Sequence, residues 1–257
     1  MRQKCFYNQS DCSDQMTREH VVSRSVLKVA FGDPIRNFVS GGPVGNKQLV
    51  DHEAVIKDVC AKCNNGKLTD YDTAGAAFVD AIARSGKGDD VFPFSQAIFG
   101  WLLKTHFNYF RMIRDAARDE AYIVPQPMKD ALVQRRLPPP EMYRLHIETF
   151  DPEPSYFDAE HPQHINWIGY RSVRLLRQGV VVSDLRLKHL TTWLIVPANG
   201  KLRRCGQRSR DAIDELRTDF GGHIPAALDV SKALETGQFR SPRITPPEIF
   251  RSLIYKV

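Results

Sequence analysis

The sequence predicts an α+β protein in two parts: a small cysteine-bearing module over residues 1–85 and a larger α+β region over 90–257. Three observations predict it. Four of the five cysteines, Cys5, Cys12, Cys60 and Cys63, fall in the first quarter. A polar glycine break, Ser85-Gly86-Lys87-Gly88-Asp89-Asp90, follows them. Beyond it, apolar residues recur at helical spacing and then give way to short β-rich runs.

Composition narrows the classes. The chain has 257 residues, 42% hydrophobic and 26% charged, as ordinary globular proteins are. No run approaches 18 apolar residues, so no membrane span is expected. Met1-Arg2-Gln3-Lys4-Cys5 lacks an apolar signal core, which predicts a cytoplasmic protein. In a reducing compartment, paired cysteines favour metal over disulfide. The net charge of +6 suits a polyanionic partner. It is concentrated late: residues 166–210 carry ten Lys/Arg against Asp184 alone.

Taken in order, Cys5 to Cys12 reads as a knuckle closing in a turn, Arg18 to Val22 as a short strand and Ser23 to Ala30 as a short helix. Residues 32–53, with Gly32, Pro34, Gly41, Gly42, Pro43 and Gly45, read as a loop. Val55 to Val59 reads as a second strand, and Asn64, a favoured cap residue, as the start of a helix running to Ala83. Ser95 is placed to cap a long helix whose stripe Ile98, Trp101, Leu102, Thr105, Tyr109, Ile113 predicts core packing, with His106 as a buried or boundary histidine beside it. One helical turn is expected around Lys129–Arg135. Strands are expected at 143–148, 165–170, 179–185 and 190–196, a helix over 209–220 and an extended tail from Pro242.

The chemistry sits in the first part. Cys60-x2-Cys63 has zinc-knuckle spacing, and Cys5-x6-Cys12 is the pair left to complete four thiolates around one structural Zn2+. A second site is expected beside it. In Glu19-His20, the carboxylate would bind a hard ion while the neutral imidazole takes a proton from water. Magnesium or manganese needs few protein ligands, and the amide oxygen of Asn64 would supply another. Asp70 and Asp72 read chiefly as solvated helix charge. His161 and His164 read as surface loop.

The order Cys…Cys…Glu-His-Val-Val…Cys-x-x-Cys-Asn-Asn-Gly, over residues 5–80, resembles the zinc-stapled branch of the HNH endonucleases. The resemblance implies a ββα-metal core, with Glu19 and Asn64 holding a catalytic Mg2+ or Mn2+ and His20 as general base. The chain departs from that pattern in two ways. No asparagine lies in 55–59 to brace the histidine, which leaves Asp58 or Asn46 for that place. The stretch from His20 to Cys60 is also long.

The expected function is therefore metal-dependent phosphodiester hydrolysis, with DNA as the substrate and RNA left open. Lys67, Arg171, Arg174, Arg203, Arg204 and Arg208 would contact phosphates. The alternative is a non-catalytic zinc module that recognises nucleic acid or protein and does not need Glu19, His20 or Asn64.

Overall fold

A computed structural model describes residues 4–32, 38–41, 47–50, 54–85, 89–116, 122–149, 166–175, 179–187, 190–198 and 228–242. Among these, helices and sheets mix as an α+β fold. The first strand, β1 (Met16–His20), is followed by α1 (Arg24–Phe31), β2 (Phe38–Gly41), β3 (Lys47–Val50) and β4 (Val55–Cys60). A π-helical turn over Cys63–Lys67 leads to α2 (Thr69–Arg84), β5 (Asp89–Pro93), α3 (Gln96–Ala116) and α4 (Gln126–Val133). Then come β6 (Arg144–Thr149), β7 (Asn166–Leu175), β8 (Val180–Leu187), β9 (Leu190–Pro197), β10 (Leu228–Asp229), α5 (Val230–Thr236) and β11 (Gln238–Pro242).

Three sheets form. β1 pairs antiparallel with β4, Met16 opposite Cys60 and His20 opposite Val55, with a register shift between Thr17 and Glu19. Seven strands run in the order β10-β6-β9-β8-β7-β2-β3, and β11 pairs with β5. Every pairing is antiparallel except β2 with β7. The residues 32–53 expected as loop thus hold two strands. Four-residue runs such as Phe38–Gly41 are too short to show a period of two.

A second correction concerns the helix after Cys63. It does not start at Asn64. The Leu68 amide reaches back five residues to the Cys63 carbonyl at 3.1 Å, which makes a wide turn, and α2 begins at Thr69 without a side-chain cap. π turns of this kind are rare outside functional sites. The helix expected at 209–220, the lone Cys205, Asn46, His161 and His164 lie outside the described residues.

α3 is the centre of the core. Residues 98–111 are all buried, including Lys104, Thr105, His106, Asn108 and Arg111. The expected apolar stripe was therefore one face of a helix covered all round, which is the pattern of a central helix rather than a surface one. Ser95 does cap its start, its Oγ accepting the Ile98 amide at 3.3 Å. One continuous core runs from Cys5 through α2 and α3 to Phe239, crossing the glycine break at 85–90.

Two glycines set how closely α2 and α3 approach. A Cβ at Gly75 would overlap the Trp101 ring, and one at Gly100 would overlap the Tyr71 ring. Each helix thus seats its aromatic on the other's glycine. Tyr71 then donates to the Leu132 carbonyl at 2.7 Å, adding α4 to the stack. Gly100 lies on the face that continues as Lys104, Asn108 and Arg111, at helical steps of four, four and three. Close seating at Gly100 therefore sets how near that polar stripe comes to β1. Gly100→Ala should cost about 1–3 kcal/mol, the usual range for overpacking, read as a lower urea midpoint with an unchanged slope.

His106 ties α3 to the large sheet. Its Nδ1 lies 2.9 Å from Ser183 Oγ on β8, and its Nε2 lies 3.0 Å from Thr192 Oγ1 on β9. Burial holds it neutral, with its pKa lowered from 6.5 to about 3. The unfolded chain binds the extra proton in that interval, so stability falls as pH drops through it, by up to about 1.4 kcal/mol per pH unit. His106→Gln, which keeps two polar ends without titrating, should flatten the stability change measured by urea unfolding between pH 7 and pH 5.

Candidate functional site

The four cysteines of the first part meet, although 48 residues separate Cys12 from Cys60. Their sulfurs all lie within 4.8 Å of one another, with Cys12 Sγ 3.9 Å from Cys63 Sγ. Four thiolates around zinc at ~2.3 Å stand ~3.8 Å apart, so the cluster fits a tetrahedral zinc after a small contraction. Local backbone prepares it. Asn8 takes the left-handed conformation at φ 49, and its amide bonds to the Cys5 carbonyl at 2.9 Å, which folds the knuckle back. The Gln9 amide points at Cys12 Sγ at 3.3 Å, and the Cys60 amide at Cys5 Sγ at 3.4 Å.

The thiols interact strongly. A hydrogen bond from Cys63 is the main cause that draws Cys5 down to about 4, and the same contact is the main cause that pushes Cys63 up. Cys60 is lowered although its burial opposes this; burial first and neighbouring sulfurs next raise Cys12 to about 11. The thiolates favoured at Cys5 and Cys60 hold the protons of Cys12 and Cys63 on. A dication at the centre would remove that conflict, which is what zinc supplies when bound.

β1 carries the expected catalytic pair, and its two members differ. Glu19 is 2% exposed and turns inward to α3. Its Oε1 accepts from Lys104 Nζ at 3.0 Å and Asn108 Nδ2 at 3.3 Å, and its Oε2 faces Arg111 at 3.5 Å. Lys104 also chelates Asp72, 2.8 Å from each oxygen, and Arg111 reaches Asp58 on β4 at 2.5 Å. Burial alone would raise the Glu19 pKa, but Lys104 and Arg111 outweigh it and hold Glu19 ionised. Burial likewise opposes the Lys104 charge, and Glu19 and Asp72 prevail over it. Asp72 is shifted up, because burial exceeds what Lys104 returns.

His20 is half-buried and opens on a cavity of about 320 Å3, lined by Arg18, Glu19, Ser23, Arg24, Asn64, Asn65, Asp72 and Lys104 among others. Asn64 therefore does meet Glu19 and His20 at one place. Its amide nitrogen is committed: Nδ2 donates to Thr17 Oγ1 at 3.0 Å and to the Arg18 carbonyl at 3.2 Å. Thr17 passes the link to the Val59 carbonyl at 3.0 Å, so Asn64 ties the π turn to both strands.

The residue that braces His20 is one the sequence did not single out. Asn108 donates from Nδ2 to the His20 carbonyl at 2.9 Å and the Val21 carbonyl at 3.3 Å, and its Oδ1 accepts from Arg111. Asp58, expected as a candidate brace, instead anchors Arg111. The only local signal was a polar residue inside an otherwise buried helix, which an amphipathic reading passes over.

Other expected contacts resolve differently. Lys67 pairs with Asp11 at 2.6 Å, and Lys62 joins from 3.0 Å, closing the outside of the knuckle. Asp70 is solvated and meets Arg135 at 2.6 Å, whereas Asp72 is drawn into the site. Arg171 and Arg174 lie in β7, and Arg203, Arg204 and Arg208 lie outside the described residues.

The residues fit zinc and do not fit the expected catalytic ion. Glu19 would have to coordinate a dication while an ammonium stays on the same oxygen. Unit charges 4 Å apart interact by about 4 kcal/mol at an effective dielectric of 20, and a dication roughly doubles that. Glu19 as a magnesium or manganese ligand is therefore corrected to a buried counter-ion of α3.

Protein purified without added metal should carry about one zinc per chain by elemental analysis, as one four-thiolate site implies. Cys60→Ser should lose that zinc and much of its thermal stability together, because site and fold are coupled. A well-folded, metal-free wild type would refute the assignment.

No family model matches this chain, and neither a curated protein nor a solved structure does.

Proposed function

We propose that the chain is an HNH-like endonuclease that hydrolyses phosphodiester bonds, with DNA as its substrate. The observation that carries this reading is the placement of His20. It stands at the end of β1, in a cavity lined by Arg18 and Arg24 and by Asn64, the residue that follows Cys63 of the four-cysteine cluster. Strand β1, strand β4, the cysteine turn and helix α2, with α1, β2 and β3 between the two strands, support the ββα reading that the motif resemblance implies. The first two of these pair antiparallel, β4 ends in Cys60, and the turn that opens the helix starts at Cys63.

Each residue then has a role. His20 acts as general base on the attacking water, its backbone held by Asn108. Arg18 and Arg24 meet the phosphate charge at the mouth of the cavity. Asn64 fixes the turn against β1. The four cysteines hold zinc as a structural ion. Arg171, Arg174, Arg203, Arg204, Arg208 and Lys67 extend the phosphate contacts expected from charge.

The burial of Glu19 favours a second reading, a non-catalytic zinc module that binds nucleic acid. One comparison separates them. Supercoiled plasmid and a single-stranded RNA are incubated with wild type and His20→Ala, each with magnesium, with manganese and with chelator. The nuclease reading expects wild-type cleavage and a loss of about 10²–10⁴-fold in His20→Ala, with gel-shift affinity and zinc content kept. Equal cleavage by both proteins refutes His20 as the base, and no cleavage by either beside intact binding gives the second reading.

A further inference from the structure

Lys104 is the unusual member of the cavity. It lines the same space as His20, Asn64, Arg18 and Arg24, yet its side chain is only 4% exposed. Its ammonium sits between the two carboxylates that a divalent ion would need, 3.0 Å from Glu19 Oε1 and 2.8 Å from both Asp72 oxygens. The other Glu19 oxygen faces Arg111, which is itself held by Asp58. α3 is buried along this stretch and its neighbour Trp101 is seated on Gly75, so the stem of Lys104 starts from a fixed backbone. Leaving the seat would strand two carboxylates, one of them fully buried.

We propose that Lys104 is the resident cation of this cleft: it occupies the seat between Glu19 and Asp72, closes that pair to divalent ions, and with Arg18 and Arg24 forms a metal-free binding site for the phosphodiester oxygens of a nucleic acid strand. The phosphodiester part rests on the proposed function, whereas the exclusion of ions does not. Arg18 and Arg24 add charge at the rim, and both carboxylates of the cavity face Lys104, so an entering anion meets no unpaired negative group among the described lining residues. The His20 ring and the Asn64 side chain complete the wall.

The test uses full-length, zinc-loaded protein and Mn2+ alone, followed by the spin-resonance signal of the free ion. Wild type should take up no manganese below millimolar concentration. Lys104→Met, which leaves Glu19 and Asp72 facing each other, should gain about one Mn2+ per chain and bind it at least about tenfold more tightly, as expected for a pair of hard oxygen ligands. A merely structural lysine would give no such gain. Lys104→Arg keeps the charge and should still exclude the ion, which decides the matter if Lys104→Met fails to fold. Tight manganese uptake by wild type, uptake by Lys104→Arg, or a folded Lys104→Met no tighter than wild type would overturn the proposal. In a second arm, a labelled single-stranded DNA is bound in chelator. Wild type should bind, and Arg18→Ala with Arg24→Ala should weaken it with a shallower salt dependence. No DNA binding by wild type, or binding unchanged in the double variant, beside intact ion exclusion would count against the phosphodiester reading alone.

Discussion

Glu19 carries a negative charge at 2% exposure, and much of the structure follows from meeting it. An isolated carboxylate in such a place would cost many kcal/mol or take up a proton. Two cations, Lys104 and Arg111, come to it from one face of α3. Neither could sit in the core on its own, so each brings a second carboxylate, Asp72 from α2 and Asp58 from β4. The result is a buried chain of alternating charge that crosses from the cavity to the second strand. Networks of this kind add little net stability over an apolar core, but breaking one member leaves the others unpaired. Their effect is to fix one arrangement, and the arrangement fixed here is α3 against the β1–β4 pair.

That constraint explains the glycines. Lysine and arginine reach far, but Asn108 does not, and it must come within 2.9 Å of the His20 carbonyl. The helix backbone has to approach closely, so Gly100 and Gly75 stand where any side chain would meet an aromatic ring. Four sulfurs hold the near side of the β1–β4 pair, and α3 holds the far side. Between these two clamps, His20 sits at a strand end with its backbone fixed from outside its own sheet.

The polar glycine run at 85–90 was legible as chain punctuation, although one continuous core crosses it, and the cysteine cluster was legible as spacing. Both are local signals, and residues such as Cys60 and Cys63 state their geometry within four positions. His20, Asn64 and Glu19 were placed in one site by motif order, which the cavity shares. What could not be read was partner choice. Glu19 looks the same in sequence whether it faces a metal ion or an ammonium, and the residue that decides it lies 85 positions later. Lys104, Asn108 and Arg111 resembled the solvated side of an amphipathic helix, because burial all round α3 depends on a seven-stranded sheet assembled from distant strands. β2 and β3 failed for a similar reason: a parallel partner at β7 leaves no mark near Phe38.

The same geometry argues that the cysteine module does not carry its site alone. Residues 1–85 contain the four thiols, Glu19, His20, Asn64, Asp58 and Asp72, but Lys104 and Arg111, which pair with Glu19, Asp72 and Asp58, come from α3, beyond the glycine break. Cut at that break, the module would keep its zinc ligands and expose three carboxylates with no partner among those cations. His20 would lose its bond from Asn108, and Val22, Tyr71 and Phe78 would lose the core they share with α3. The cysteine cluster joins the turn to the knuckle and β4, but the positive charge at Glu19 comes from Lys104 and Arg111. The larger region therefore completes the site chemically as well as shaping what surrounds it, and the catalytic reading of His20 depends on residues from both sides of the break.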